Sequence, residues 1–235
     1  MEKQVDYRDF LPENSTRKRE DVEWVQFYSF NSPDTESPRV LSIGDSICCQ
    51  YKDFLREELA GKVNLTSWGT SKCVTDPSFV EELDHILSFD RYDLILFNNG
   101  IHALTSRREE WEKAYERTLD FLAAKLPEVP VSLLLSTPPA DEEKFFRIRE
   151  LNGFVLLVGE RRNLPVVDLF TPMAGQDRKK ALVDDYHFAD FAKRIQSEIL
   201  AKHITGRLAE KIALHKGPLK QAGSDMGPMG KIRSL

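Results

Sequence analysis

The 235 residues, 41% hydrophobic and 30% charged, suit a globular domain with appendages. A net charge of −5 argues against a nucleic-acid partner, and the lack of any run of about 18 apolar residues argues against a membrane span. Three cysteines, two of them adjacent (Cys48, Cys49), give neither a disulfide framework nor metal-ligand spacing. The stretch 1–10 has no apolar core of the kind a secretory signal carries. Together these features predict a cytoplasmic protein with reduced thiols and no metal or other cofactor.

Residues 1–38 read as a polar extension that packs on the domain through Trp24, Phe27, Tyr28 and Phe30. From 39 to 205 strand and helix signals alternate. Apolar, β-branched runs fall at about 39–43, 62–67, 92–98, 130–136 and 165–168, and each but the last is followed by a helical pattern. One helical face after Ser106 carries Trp111, Tyr115, Thr118, Leu122 and Leu126, and another carries Phe145, Ile148, Leu151, Val155 and Val158. A third stripe is Phe188, Phe191, Ile195 and Ile199, and all three stripes read as core. The expectation is a flavodoxin-like three-layer α/β sandwich, its sheet of about five parallel strands covered by helices on both faces. The stretch 206–235, with Gly217, Gly223, Gly227, Gly230, Pro218 and Pro228, reads as a helix end and a flexible tail.

Ligands of open parallel sheets bind beyond the carboxyl ends of the strands where strand order reverses. The first predicted strand ends in Gly44-Asp45-Ser46 and the third in Asn98-Asn99-Gly100-Ile101-His102. Asp184-Asp185-Tyr186-His187 follows the fifth, on a loop able to fold over the same edge. A serine hydroxyl attacks an acyl group only if a base takes its proton and a third group orients that base. Ser46, His187 and Asp184 are candidates for those three roles. The Ser46 N–H at a helix start is one candidate oxyanion donor, with Gly69, Asn99 and His102 as further candidates.

Plainer readings exist for each element. Asp45 could simply cap a helix, Asp184-Asp185 could be a solvated turn, Gly69 a turn glycine, and Asn98 and Asn99 could satisfy loop backbone. His85, His203 and His215 read as solvent-facing, and Cys48 and Cys49 as packing residues. No Gly-x-Ser-x-Gly elbow, phosphate-binding glycine loop or His-Glu-x-x-His pair is present.

On Gly44-Asp45-Ser46, Gly69 and Asp184-x-x-His187, the chain resembles the SGNH (GDSL-type) hydrolases from roughly Arg39 to Lys202. Asn98-Asn99-Gly100-Ile101-His102 resembles the Asn-Asn-Gly-Leu-His third block of one branch, as do Arg149-x-x-Asn152 and the strand Val166-Val167-Asp168-Leu169. The resemblance implies a flavodoxin-like fold, a metal-free Ser-His-Asp esterase mechanism and, often, removal of acetyl groups from sugars. Aligned on its glycine, the commoner Gly-x-Asn-Asp block puts His102 at the donor position; aligned on side-chain chemistry, it selects Asn99.

Three functions follow as expectations. The first is hydrolysis of acetyl or other short acyl esters on a small molecule or oligosaccharide. The second is a lipid or thioester hydrolase on the same machinery. The third is a carbohydrate-binding protein without catalysis. Neither a nucleic acid nor a membrane is expected as a partner, and nothing in the residues sets an oligomeric state.

Overall fold

The computed structural model describes residues 5–15 and 19–215. The expected tail from 216 onward lies outside them. Among the described residues no helix is long and apolar enough to cross a membrane.

Six strands make one sheet: β1 (Val25–Ser29), β2 (Arg39–Gly44), β3 (Asn64–Thr70), β4 (Leu94–Phe97), β5 (Val131–Leu134) and β6 (Val166–Val167). Their spatial order is β1-β3-β2-β4-β5-β6. From β3 to β6 every neighbouring pair is parallel, with Gly44 beside Gly69 and Ile43 beside Phe97. All residues of β2, β3 and β4 are buried, as expected of strands covered on both faces.

The helices are α1 (Ser46–Leu59), α2 (Pro77–Leu87), α3 (Arg108–Lys125), α4 (Glu142–Arg162), α5 (Phe170–Ala174), α6 (Arg178–Ala181), α7 (Asp190–Arg207) and α8 (Ala209–Leu214). Because the chain leaves β2 in one direction and returns past it to β4, right-handed crossovers put α1 on one face. The same rule puts α2, α3 and α4 on the other. Helix α7 packs beside α1, where Ser197 Oγ reaches the Tyr51 carbonyl at 3.2 Å. Strand order therefore reverses at β2, and the crevice at its carboxyl end is the expected ligand site.

Three expectations need correction. The sheet has six strands, because Val25–Ser29 joins it as an antiparallel edge strand against β3, with Val25 opposite Thr70. In α7 the buried face is Ala192, Gln196, Ser197, Leu200, Ala201 and Ile204, one position round from the expected stripe, and Phe191 is exposed. Small residues there let α7 lie close to α1, which outweighs the burial Phe191 could offer. Of the three outlying histidines only His85 faces solvent. His203 is half-buried with Nε2 2.9 Å from Ser132 Oγ, and burial lowers its affinity for a proton. His215 Nε2 lies 3.2 Å from Ser37 Oγ.

One buried cation ties the N-terminal segment to the sheet. The Arg39 side chain is 3% exposed, and its Nε contacts Asp90 Oδ2 at 3.0 Å. Its guanidinium also donates to the carbonyls of Phe30 (2.9 Å), Asn31 (3.0 Å) and Asp34 (3.3 Å), and to Ser29 Oγ at 3.1 Å. The planar fork of arginine suits such a divergent set of acceptors, where the compact ammonium of lysine would reach fewer.

Candidate active site

Strand β2 ends at Gly44, where a side chain would press on Cys48 Cβ at 2.7 Å, so the chain turns tightly into α1. Asp45 is the N-cap of α1. Its backbone is extended, and its Oδ1 accepts the Ile47 N–H at 2.9 Å, leaving Ser46 at the first helical position. The capping reading of Asp45 is thus correct, and the cap sets the direction of the neighbouring serine. The Ser46 N–H belongs to the first turn, whose amides have no partner within the helix and favour a nearby anion.

On the far side of the crevice, the loop between α6 and α7 is closed by a bridge between Leu182 and Phe188. The Val183 N–H donates to the His187 carbonyl at 2.8 Å, Ala140 N–H donates to the Asp185 carbonyl at 2.7 Å, and fully buried Phe188 anchors the end. His187 Nε2 then lies 2.8 Å from Ser46 Oγ, across 141 residues of sequence. His187 Nδ1 lies 2.7 Å from Asp184 Oδ2. With a carboxylate on Nδ1, that nitrogen carries the hydrogen and Nε2 presents a lone pair to the serine hydroxyl. Asp185 instead points to solvent, its side chain 70% exposed.

Asp184 Oδ1 also accepts the N–H groups of Tyr186 (2.9 Å) and His187 (2.8 Å). Desolvation opposes its charge, but the Tyr186 N–H, the His187 ring and the His187 N–H outweigh it. They hold the carboxyl down at about 2 from an ordinary 3.8. A depressed value stabilises the fold above pH 3.8, and that contribution is lost as pH falls through about 2. The difference in urea midpoint between wild type and Asp184→Asn is therefore expected to shrink from about pH 6 to about pH 2. A difference that grows on acidification would contradict it. The effect is small, because the side chain is 53% exposed.

The other candidates are held differently. Asn99 is buried and braces the loop after β3: its Oδ1 accepts the Val74 N–H and its Nδ2 donates to the Lys72 carbonyl, both at 3.0 Å. Asn98 joins the ends of β4 and β5, donating to the Leu134 carbonyl (2.8 Å) and to Ser136 Oγ (3.0 Å). Asn152 clamps Ser136 in turn, through its N–H and its carbonyl, at 2.9 Å each.

Gly69 sits inside β3, where a side chain would overlap the Cys49 sulfur and press the Asp45 carbonyl at 3.0 Å. The Ser71 N–H bonds the Trp24 carbonyl, and the Phe30 N–H bonds the Leu65 carbonyl. That alternation aims the odd-numbered amides of β3, Gly69 included, at β1. Close packing thus accounts for Gly69. No hydrogen bond joins Gly69, Asn99 or His102 to Ser46 among the described residues.

His102 follows β4 in a short 3-10 turn (Ile101–Thr105). Its Nδ1 lies 3.0 Å from Glu20 Oε1, and the edge of Trp24 packs near its ring at 6.3 Å between centroids. Trp24 is one of the aromatics expected to pack on the domain, whereas Glu20 carries no motif that would single it out. Both come from the stretch before β1, which lies beside the carboxyl ends of β3 and β4.

No protein-family model matches the chain, and no curated protein matches it either. Solved structures do. A lipase/acylhydrolase from Enterococcus faecalis superposes with a TM-score of 0.60 at 21% identity, over 72% of this chain and 96% of that one. A member of the lipolytic G-D-S-L family from Veillonella parvula gives 0.57 at 17% identity, over 72% and 99%. A family two carbohydrate esterase from Clostridium thermocellum, solved with cellohexaose, gives 0.59 at 14% identity, over 75% and 66%. The sheet that carries Ser46 and the loop that carries His187 thus belong to a chain with the three-layer α/β fold of the GDSL/SGNH hydrolases.

Proposed function

We propose that the protein is a serine carboxylic ester hydrolase that removes acetyl or other short acyl groups from a carbohydrate. The carrying observation is the continuous hydrogen-bonded line from Asp184 through His187 to Ser46. In this reading Ser46 Oγ attacks the acyl carbonyl while His187 Nε2 takes its proton. The carbonyl oxygen becomes an oxyanion facing the Ser46 N–H and the Asn99 amide, which keeps one hydrogen beyond the one given to Lys72. The ester C–O bond then breaks, and His187 returns its proton to the departing alkoxide. Water repeats the sequence on the acyl-serine and releases the acid.

The position of the large apolar groove, away from the nucleophile, supports a short acyl group. A cavity of about 10 Å³ beneath the start of α1 is lined by Gly44, Asp45, Ile47 and Tyr51, with no wall from Ser46 or His187. The larger apolar groove, about 540 Å³, runs between β1 and α2 along Val25, Phe27 and Phe89 and has no wall from Ser46 or His187. The carbohydrate part of the reading is supported by the likeness to a carbohydrate esterase solved with a cello-oligosaccharide.

Hydrolysis of a p-nitrophenyl ester series and acetate release from acetylated oligosaccharides test the reading together. The acetyl ester is expected to be turned over best. A preference for chains of about eight carbons or more would transfer the protein to the lipid class. Sugar binding with no ester turnover would leave the binding-protein reading.

A further inference from the structure

His102 and Glu20 form a second imidazole–carboxylate pair at the same edge of the sheet as His187 and Asp184. The His102 side chain is 10% exposed, with Nδ1 3.0 Å from Glu20 Oε1. Its other nitrogen, Nε2, is shielded from solvent and has no hydrogen-bond partner. A buried polar atom without a partner in a folded protein calls for an explanation. Apolar filling does not explain it, because the segment bearing Glu20 is fastened down by further polar contacts. Arg19 Nε meets Asp76 Oδ2 at 3.2 Å, and the Trp24 N–H donates to Ser71 Oγ at 2.9 Å. Glu23 Oε2 accepts from the Ser71 hydroxyl. Residues 19–24 thus form a wall beside the strand ends, with the edge of Trp24 against the His102 ring.

The carboxylate of Glu20 selects the tautomer. A hydrogen on Nδ1 bonds the carboxylate, so the neutral ring holds a lone pair at Nε2. A lone pair repels an oxyanion and suits a hydroxyl hydrogen. We propose that Glu20 is a positioning residue which fixes His102 as an acceptor for a hydroxyl on the alcohol side of the ester, making His102 a specificity-determining residue. The proposal rests on the esterase reading and narrows it to alcohols bearing a further hydroxyl near the ester, as sugars and polyols do. When such a hydroxyl enters, it supplies the partner that Nε2 lacks.

Glycerol monoacetate and propyl acetate are the probes, sharing an acyl group and differing in neighbouring hydroxyls. Wild type is expected to favour glycerol monoacetate in kcat/KM by about ten-fold or more, through KM, and His102→Leu to lose that ratio. Glu20→Ala should lower it, and Glu20→Gln, whose amide oxygen can still accept from Nδ1, should retain most of it. A wall that merely holds the chain in place would move both esters equally, so an unchanged ratio in His102→Leu or Glu20→Ala overturns the assignment.

Side-chain nitrogen NMR supplies a readout without turnover. In catalytically silenced Ser46→Ala, His102 should show hydrogen on Nδ1 alone. Glycerol monoacetate, but not propyl acetate, should shift the Nε2 resonance. Hydrogen on Nε2, or no shift while wild type hydrolyses esters, overturns the proposal. A shift in a protein that hydrolyses neither ester removes the esterase reading and, with it, the specificity role, leaving His102 only as a hydroxyl acceptor.

Discussion

Ser46→Ala is expected to lower kcat for acetyl-ester hydrolysis by at least about 10³-fold, and His187→Ala to do the same. The two residues act as one unit. Without the hydroxyl there is no covalent step, and without the imidazole the hydroxyl keeps its proton, so the double variant should be little worse than either single one. Residual turnover would come from the amides at the start of α1, which need neither side chain. The fold should survive both changes, since Ser46 and His187 are only half-buried and Ser46 meets the protein chiefly through its bond to His187. Initial-rate measurements on p-nitrophenyl acetate, with circular dichroism as a folding control, decide the matter. A Ser46→Ala protein that retains the wild-type rate would end the esterase reading.

The largest expected effect on stability is elsewhere. Arg39→Ala should cost about 3–5 kcal/mol, because removing one side of a buried charged network strands the groups it paired with. Here those groups are the Asp90 carboxylate and the carbonyls of Phe30, Asn31 and Asp34. A typical domain is stable by about 5–15 kcal/mol, so such a loss takes about a fifth or more of the total. Arg39→Lys should recover part of it. Urea unfolding of the three proteins provides the check. A loss below about 1 kcal/mol for the alanine variant would show that the network is no better than its solvated alternative.

The meeting of Ser46, His187 and Asp184 was legible in the sequence for a physical reason. A parallel sheet delivers strand ends to one edge, and an acid three residues before an imidazole can bond it within a single turn. Strand positions were legible from β-branched runs such as Val40–Ile43 and Leu94–Phe97. What escaped depended on tertiary partners. Val25–Ser29 is a short segment whose strand state exists only against β3, so it read as an aromatic cluster in an extension. The inward face of α7 was misplaced because contact with α1 rewards small residues, while a hydrophobic stripe rewards large ones. Glu20 acquires meaning only once β1 brings it beside His102, and Trp24, legible as a packing aromatic, finds its neighbour there too. Gly69, which looked like a donor for chemistry, is required by the sulfur of Cys49 beneath it.

The antiparallel strand at the margin also shields its neighbour. Were β1 missing, the outward amides and carbonyls of Leu65, Ser67 and Gly69 would stand unpaired along a seven-residue strand. An uncapped ladder of that length is a template for a second chain. The five-residue Val-Gln-Phe-Tyr-Ser segment occupies that ladder, so this stretch of the N-terminal region closes the margin of β3 while the residues just before it reach His102.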